Sequence, residues 1–486
     1  MFPLPTAVKR SHILITLVVV SLIILFTLRP VSRPFYVPTR GAALDSTSLL
    51  ILSAQEHVGL SVAGDTKSFD LPDSASPLHL IVPATSSNHH LCQLLLSAAI
   101  LGYPSPTLIN WNAPEDEDDY VQHLTKVEGI LNHLNSLEPQ HDDDLVLMVD
   151  GYDAWFQLPP SVLIERYHSL VRDSSGQYSR TGTRHLLVRR SSLDTVFFGQ
   201  DKLCWPGGRS RAACWAVPDS TLSLQAFGPD TDHGIVEHNR PRWLNSGTIM
   251  GPVKDVRDVF IATLEKIRAN HTENSDQFYF ANVFAEQSYA RQPAEVPTLS
   301  EEETVEIPDI PDGQRTEYHI GIDYESALFQ TVAFYEDYIA WVMYNQSSDS
   351  MKSDHKHFNP YHHFALPEDL QDSSPLDTLP EKGKRLATSH SSMLAEALGS
   401  WSSLPLGVNT ITKQVFPLIH FTGKKGYREM WWHRNWFYPY AGDLLRHKQS
   451  LEEGVGDAWT AGQEVKVIPW SSLCGRYEEY LFGQAD

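Results

Sequence analysis

Two carboxylates, Asp150 and Asp153, close the stretch Asp144-Leu-Val-Leu-Met-Val-Asp150-Gly-Tyr-Asp153. Held on one turn, two acidic side chains repel each other, and a divalent cation placed between them removes the repulsion. Hard carboxylate oxygens favour Mn²⁺ or Mg²⁺ over Zn²⁺. A solvated turn in which Asp150 caps the next segment is the plainer use of the same pattern. Position separates the two uses. Residues 145–149 form an uninterrupted apolar run, as in an inner strand of a parallel sheet covered on both faces. In open α/β sheets ligands gather at the carboxyl ends of such strands, and that is where Asp150 and Asp153 fall.

The surrounding chain supplies the elements that would position this turn. A strand over 78–85 ends in small and hydroxyl residues, with Thr85 last. Ser86-Ser-Asn88 then caps a helix over 91–101. A short strand at 107–111 follows. Residues 120–137 carry Val121, Leu124, Val127, Ile130, Leu131 and Leu134 at helical spacing. With the central strand after it, this order opens a doubly wound, Rossmann-like α/β fold around a mostly parallel sheet. Further along, the pattern predicts a helix at 162–171, strands at 185–189 and 195–198, and a strand over 242–251 broken by Asn245-Ser-Gly247. Helices at 253–269 and 275–285 come next. Segments 320–323 and 328–334 resume the sheet, and 415–420 is a strand ending on His420. The turn Phe421-Thr-Gly-Lys-Lys-Gly426 leads into an aromatic, basic helix.

Composition narrows the classes of function. The chain has 486 residues, 42% hydrophobic content and a net charge of −22. That acidity argues against a nucleic-acid surface, which needs clustered Lys and Arg. Residues 1–12 read as a cytosolic tail and 13–28 as an apolar signal anchor flanked by Lys9, Arg10, Arg29 and Arg33. At ~1.5 Å per residue, that helix spans roughly 24 Å and suits a thin early-secretory bilayer. Residues 29–76, rich in Pro, Ser and Thr, read as a stem, and 77–486 as a lumenal domain with insertions near 295–313 and 347–390. Sequons begin at Asn270 and Asn345. Of the four cysteines, Cys204 and Cys214 flank a loop that a disulfide could close, while Cys92 reads as a buried thiol. His355, His357, His362 and His363 sit among polar residues, more in keeping with a surface loop than with a zinc site. The sequence leaves the oligomeric state open.

Four separated blocks then fall in order: the strand ending at Thr85, Asp150-Gly-Tyr-Asp153, Leu244-Asn-Ser-Gly247 and His420-Phe-Thr-Gly-Lys424. Together with Phe197-Phe198, Cys204-Trp205-Pro206 and Asp276-Gln277, they resemble the glycosyltransferase domain of the procollagen lysyl hydroxylases and related lumenal transferases. The resemblance implies a GT-A fold, a nucleotide-sugar donor (a UDP-sugar in the first instance) and Mn²⁺, with Mg²⁺ as its substitute. It implies Asp150, Asp153 and His420 as metal ligands and Tyr152 beside the nucleotide base or ribose. No hydroxylase part follows, so the implied activity is hexose transfer alone, onto a protein or glycan hydroxyl. The physical reading adds roles of its own. Lys424 or Lys425, on the glycine turn at Gly423, would steady the diphosphate with exposed backbone N–H groups. Asn245 and Ser246 would meet donor or acceptor hydroxyls. In the related transferases the Asp276 region faces the sugar, so the resemblance makes Asp276, with Asn245, a candidate catalytic residue, although an acid opening a helix is favourable on dipole grounds alone. The aromatic cluster Trp431, Trp432, Trp436, Phe437 and Tyr438 could stack on sugars or pack the last helix onto the sheet. Family members commonly carry serine where this chain has Gly151. A non-catalytic lumenal glycan-binding or transferase-partner protein would use the same fold, and a metal-dependent hydrolase would use similar ligands.

Overall fold

Most of the apolar runs read above become strands of one large sheet in a computed structural model of the chain. It describes residues 77–113, 119–176, 194–269, 275–298, 304–345, 364–375, 398–462 and 465–482. The tail, anchor and stem, the strand expected at 185–189, and most of the insertion at 347–390 lie outside these residues. Among the described residues, no helix is long and apolar enough to cross a membrane.

The first strand, β1 (Leu78–Pro83), leads to α1 (His89–Leu101), whose first turn is capped by the Asn88 side chain accepting from the Leu91 N–H at 2.9 Å. After β2 (Thr107–Ile109) and α2 (Asp119–Ser136) comes β3 (Leu145–Val149), buried along its whole length. The chain continues through β4 (Ala154–Phe156), α3 (Pro160–Gly176), β5 (Val196–Asp201) and β6 (Trp243–Pro252). Helices α4 (Val253–Ala269) and α5 (Asp276–Arg291) follow, then β7 (Ile320–Ile322), β8 (Phe329–Thr331) and β9 (Ile339–Val342). The last part holds β10 (Leu406–Asn409), β11 (Leu418–His420), α6 (Gly426–Trp432), α7 (Ala441–Leu451), β12 (Ala458–Thr460) and β13 (Val467–Ile468).

The main sheet has eight strands in the order β13-β12-β2-β1-β3-β6-β5-β7. It is mixed and mostly parallel, with β6 antiparallel to both β3 and β5. This is a mixed α/β architecture compatible with a Rossmann-like fold. Alternation along the strands explains how both faces are covered. Leu80, Val82, Leu145, Leu147 and Val149 join one core with α1 and the C-terminal aromatics, while Ile81, Val146 and Met148 join a second core with α2, α4 and α5. The near-continuous apolar reading of β3 is the consequence of feeding both.

Several expectations change. Residues 328–334 do not resume the main sheet: β8 pairs in parallel with β11, which runs antiparallel to β4, making a separate three-stranded sheet. Strand β6 is continuous from Trp243 to Pro252, but against β5 it bulges where the break was expected: Gly199 pairs with Asn245 and Phe198 with Ile249, so the extra residues Ser246, Gly247 and Thr248 lie on β6. Cys92 is not a thiol. It forms a disulfide with Cys474, and Cys204 pairs with Cys214. The Trp431–Phe437 aromatics are buried and pack α6 against the sheet, with Trp432 edge-on to Trp155. Within 347–390, residues 364–375 are anchored by a fork from Arg166 to Asp369 at 2.6 and 3.2 Å, and Leu370 is buried.

Candidate functional site

At the carboxyl end of β3 the backbone leaves the sheet through a turn that only glycine fits. A Cβ at Gly151 would stand 2.6 Å from the Pro83 carbonyl oxygen, so serine at this position would force β1 and the turn apart. The turn is pinned by the Asp150 N–H donating to the Gly247 carbonyl at 2.9 Å, and by the Phe421 N–H donating to the Asp153 carbonyl at 2.6 Å. Two segments distant in sequence are thereby drawn to the end of β3.

Each oxygen of Asp150 has a different neighbour. Oδ1 accepts from Lys126 Nζ at 2.9 Å, and Oδ2 lies 3.7 Å from His420 Nε2. Lys126, reaching up from α2, also stands 2.7 Å from Asp276 Oδ2. Burial works against its charge, but Asp150 and Asp276 overcome that and hold the ammonium's pKa above the usual lysine value. His420 ends β11, opposite Ala154 and Thr331, and is 3% exposed. Burial pushes its pKa down, with Asp150 and Asp153 pulling the other way, so the ring is kept neutral and able to give a lone pair. Among the described residues its Nδ1 finds no hydrogen-bond partner. Gly247 completes the pocket by lacking a side chain: a Cβ there would stand 2.6 Å from His420 Nε2 and 2.7 Å from Asp150 Oδ2.

Asp153 is held differently. Lys425 Nζ donates to Oδ2 and Arg428 Nη1 to Oδ1, each at 2.6 Å, and Arg428 also donates to the Tyr152 carbonyl at 2.6 Å. Asp153 thus faces two cations from α6 and the turn before it. Its carboxylate is not drawn with Asp150 and His420 into one tight set. Among the described residues, the sets whose donor atoms lie within 4.8 Å of one another are His79, His141 and Asp144, and His89, His90 and Glu429. Either group could hold a metal ion.

The remaining expected residues sort by place. The Tyr152 hydroxyl accepts from the Thr85 and Ser86 N–H groups at 2.9 and 3.0 Å and donates to the Ser86 carbonyl at 2.9 Å, tying the end of β1 to the acidic turn. Asn245 Nδ2 donates to Asp201 Oδ2 at 3.1 Å and Gln277 Nε2 donates to the same oxygen at 3.0 Å. The Ser246 N–H donates to Gln277 Oε1 at 3.3 Å. Burial pushes the Asp201 carboxyl up to about 6, with the Asn245 and Gln277 hydrogen bonds pulling it down. Gly423 has φ +68°, a left-handed turn suited to glycine, and the Thr422 hydroxyl beside it accepts from the Ala333 N–H at 2.8 Å. Lys425 is committed to Asp153, whereas the Lys424 side chain is 79% exposed and 3.9 Å from Glu336.

Strand ends, helix α2 and the turn before α6 therefore bring Asp150, His420, Asp276 and Asn245 to one end of the sheet, with Asp153 and Tyr152 beside them and Lys424 at the rim. Lys126, Asp201 and Arg428 were missed from sequence. Lys126 did leave a signal, since it lies four residues before Ile130, within the apolar face of α2. Comparison with protein-family models and with curated proteins returned no match.

Proposed function

We propose that this chain is a metal-dependent glycosyltransferase of GT-A type that moves a hexose from a nucleotide sugar, a UDP-sugar in the first instance, to a protein or glycan hydroxyl. The observation that carries the reading is the pairing of a carboxylate with a neutral, buried imidazole at the carboxyl end of the central strand: Asp150 Oδ2 and His420 Nε2 at 3.7 Å, with Gly247, by lacking a Cβ, letting both side chains close in against its backbone. An oxygen donor and an imidazole so placed fit a divalent ion such as Mn²⁺ or Mg²⁺, with the Nε2 lone pair turned to the ion and the ring proton on Nδ1. Asp150 and His420 would hold the ion, with Asp153 as the third ligand once Lys425 turns to phosphate. When bound, such an ion neutralises the charge that develops on diphosphate oxygens as the leaving group departs.

The chain's own residues account for the rest of the chemistry. Lys126 stands between Asp150 and Asp276 and offsets their mutual repulsion. Lys424 is free to swing from the rim to a diphosphate, and Gly423 lets the backbone approach it. Lys425 and Arg428 add positive potential on the same side. Tyr152, with its hydroxyl engaged by the end of β1, offers its ring to the nucleotide. Asn245 and Ser246 face the acceptor side. Asp276, held by Lys126, orients the acceptor hydroxyl and takes its proton as the new glycosidic bond forms. The apolar run 13–28 would anchor the protein as a single-pass type II membrane protein of the Golgi or endoplasmic reticulum, with the transferase domain lumenal; the two disulfides accord with an oxidising compartment.

The test is donor turnover by the full chain with UDP-glucose, UDP-galactose and GDP-mannose, with and without Mn²⁺. Mn²⁺-dependent hydrolysis or transfer of one donor, abolished by Asp150→Asn, is expected. Absence of turnover with every donor and a panel of acceptors overturns the proposal.

One observation favours a second reading. Both carboxylates of the turn already have cations, Lys126 on Asp150 and Lys425 with Arg428 on Asp153, as in a purely structural ion-pair network. A glycan-binding or transferase-partner protein of the same fold would need nothing more. Calorimetry separates the two, because that protein binds glycan with no Mn²⁺-dependent affinity for nucleotide.

A further inference from the structure

A second set of ligand-type side chains lies at the opposite end of the same strand. Parallel pairing of Leu78 with Leu145 sets the start of β1 beside the start of β3, so His79 meets Asp144. The helical turn Pro139–His141 adds His141 from just upstream. Asp144 Oδ2 stands 2.9 Å from His79 Nε2 and 2.7 Å from His141 Nδ1. The two rings meet edge to face with centroids 5.6 Å apart, and all three donor atoms lie within 4.8 Å of one another. Along β3, at ~3.3 Å per residue, this cluster is roughly 20 Å from Asp150.

A hydrogen-bonded His–Asp–His bridge is the plain reading, and it brings together the same atoms an ion would take. Ligand atoms on a tetrahedral ion with bonds of about 2.0–2.1 Å stand about 3.3 Å apart. Exchanging the shared protons for one ion therefore needs the cluster to open by about half an ångström. The geometry allows it. The Asp144 backbone is fixed, its N–H donating to the His141 carbonyl at 3.1 Å and its carbonyl accepting from the Val253 N–H at 2.9 Å. The imidazoles are the parts that can pivot, with side chains 25% and 39% exposed for His79 and His141. The same exposure leaves solvent access for a fourth ligand. His133 shares a groove with His79.

Donor chemistry selects the ion. Two imidazole nitrogens and one carboxylate oxygen suit a borderline cation in a tetrahedral site, whereas Mn²⁺ and Mg²⁺ prefer oxygen-rich sets. We infer that His79, His141 and Asp144 form a Zn²⁺ site that fastens the start of β1 to the turn preceding β3. It is independent of the transferase reading and stands if that reading falls.

The experiment is a Zn²⁺ titration of the purified full chain against a chromophoric competitor, comparing the parent with His141→Ala and with the double variant His79→Ala/His141→Ala. Other histidines and the Asp150 site are common to all three, so the difference isolates this cluster. The parent should bind one more Zn²⁺ than the double variant. Affinity at that site should fall in His141→Ala by more than the ~10–100-fold that loss of an outer-shell partner costs. Zn²⁺ should also raise the Tm of the parent more than that of His141→Ala, whose half-exposed side chain can be removed without loss of the fold. Equal stoichiometry and equal Zn²⁺-induced Tm shifts in the parent and His141→Ala overturn the proposal.

Discussion

The two ends of β3 hold their charged groups in opposite ways. At the amino end, His141 and Asp144 are near neighbours in sequence, His79 is supplied by the adjacent strand, and the imidazoles stay partly in solvent. At the carboxyl end, Lys126, Asp150, Asp276 and His420 come from four distant segments, and Lys126, Asp276 and His420 are buried. The first arrangement tolerates the loss of a member, because water can replace it. The second does not, since removing one charge strands another out of reach of water. Burial with mutual compensation is what an electrostatic site needs if its groups are to act on a bound substrate at high effective strength.

Mutations should break this contrast in a graded way. The largest effect is expected on turnover: Asp150→Asn or His420→Ala should lower Mn²⁺-dependent donor turnover by ~10²–10³-fold or more, the scale on which single electrostatic groups act, while His141→Ala leaves it unchanged. Next comes Lys126→Met, which leaves Asp150 and Asp276 facing each other without their cation. Denaturant unfolding should show a loss of about 3 kcal/mol. Gly247→Ala should follow, since its methyl would enter the space beside His420 and Asp150. Overpacking of this kind costs about 1–3 kcal/mol, and donor binding should weaken alongside Tm.

The smallest effect sharpens the comparison through pH. Asp201 has its folded pKa raised from 3.8 to about 6 by burial, so the folded state binds this proton more readily than the unfolded state does. The group's contribution to stability therefore falls as pH rises through that window and is most unfavourable above it. Asp201→Asn keeps an oxygen for Asn245 and Gln277, and should stabilise the protein by on the order of 1–2 kcal/mol near pH 7.5, with almost no effect near pH 4. Thermal melts across that range check it. Equal stabilisation at both ends of the range would show that the carboxyl is not perturbed.

Legibility followed the same division. The elements around the acidic turn were readable because apolar spacing fixes them: β3 and α4 fall where the pattern puts them, and the Asn88 cap forms as expected. Strand pairing was less readable, since β8 and β11 carry the same kind of apolar run whichever sheet they join, and only tertiary packing sends them to the smaller one. Asp150 and His420 stood out by sitting at strand ends. Asp201, at the end of β5, did not, because a charged residue there reads as solvated until partners from other segments are known, and Lys126 showed only as a lysine on the apolar face of α2, with nothing in sequence to name its partners. Cys92 read as a thiol for the same reason: its partner is 382 residues away.

That last bond has a practical corollary. Because Cys92 and Cys474 are joined covalently, a protease that nicks any exposed connection between them opens a ring and does not release a fragment. Products of a single cut should migrate together on a non-reducing gel and separate only after dithiothreitol. Secretion into an oxidising medium, and not production in a reducing cytosol, is accordingly the route by which α1 and the last described helical turns of the chain would be recovered as one closed circuit.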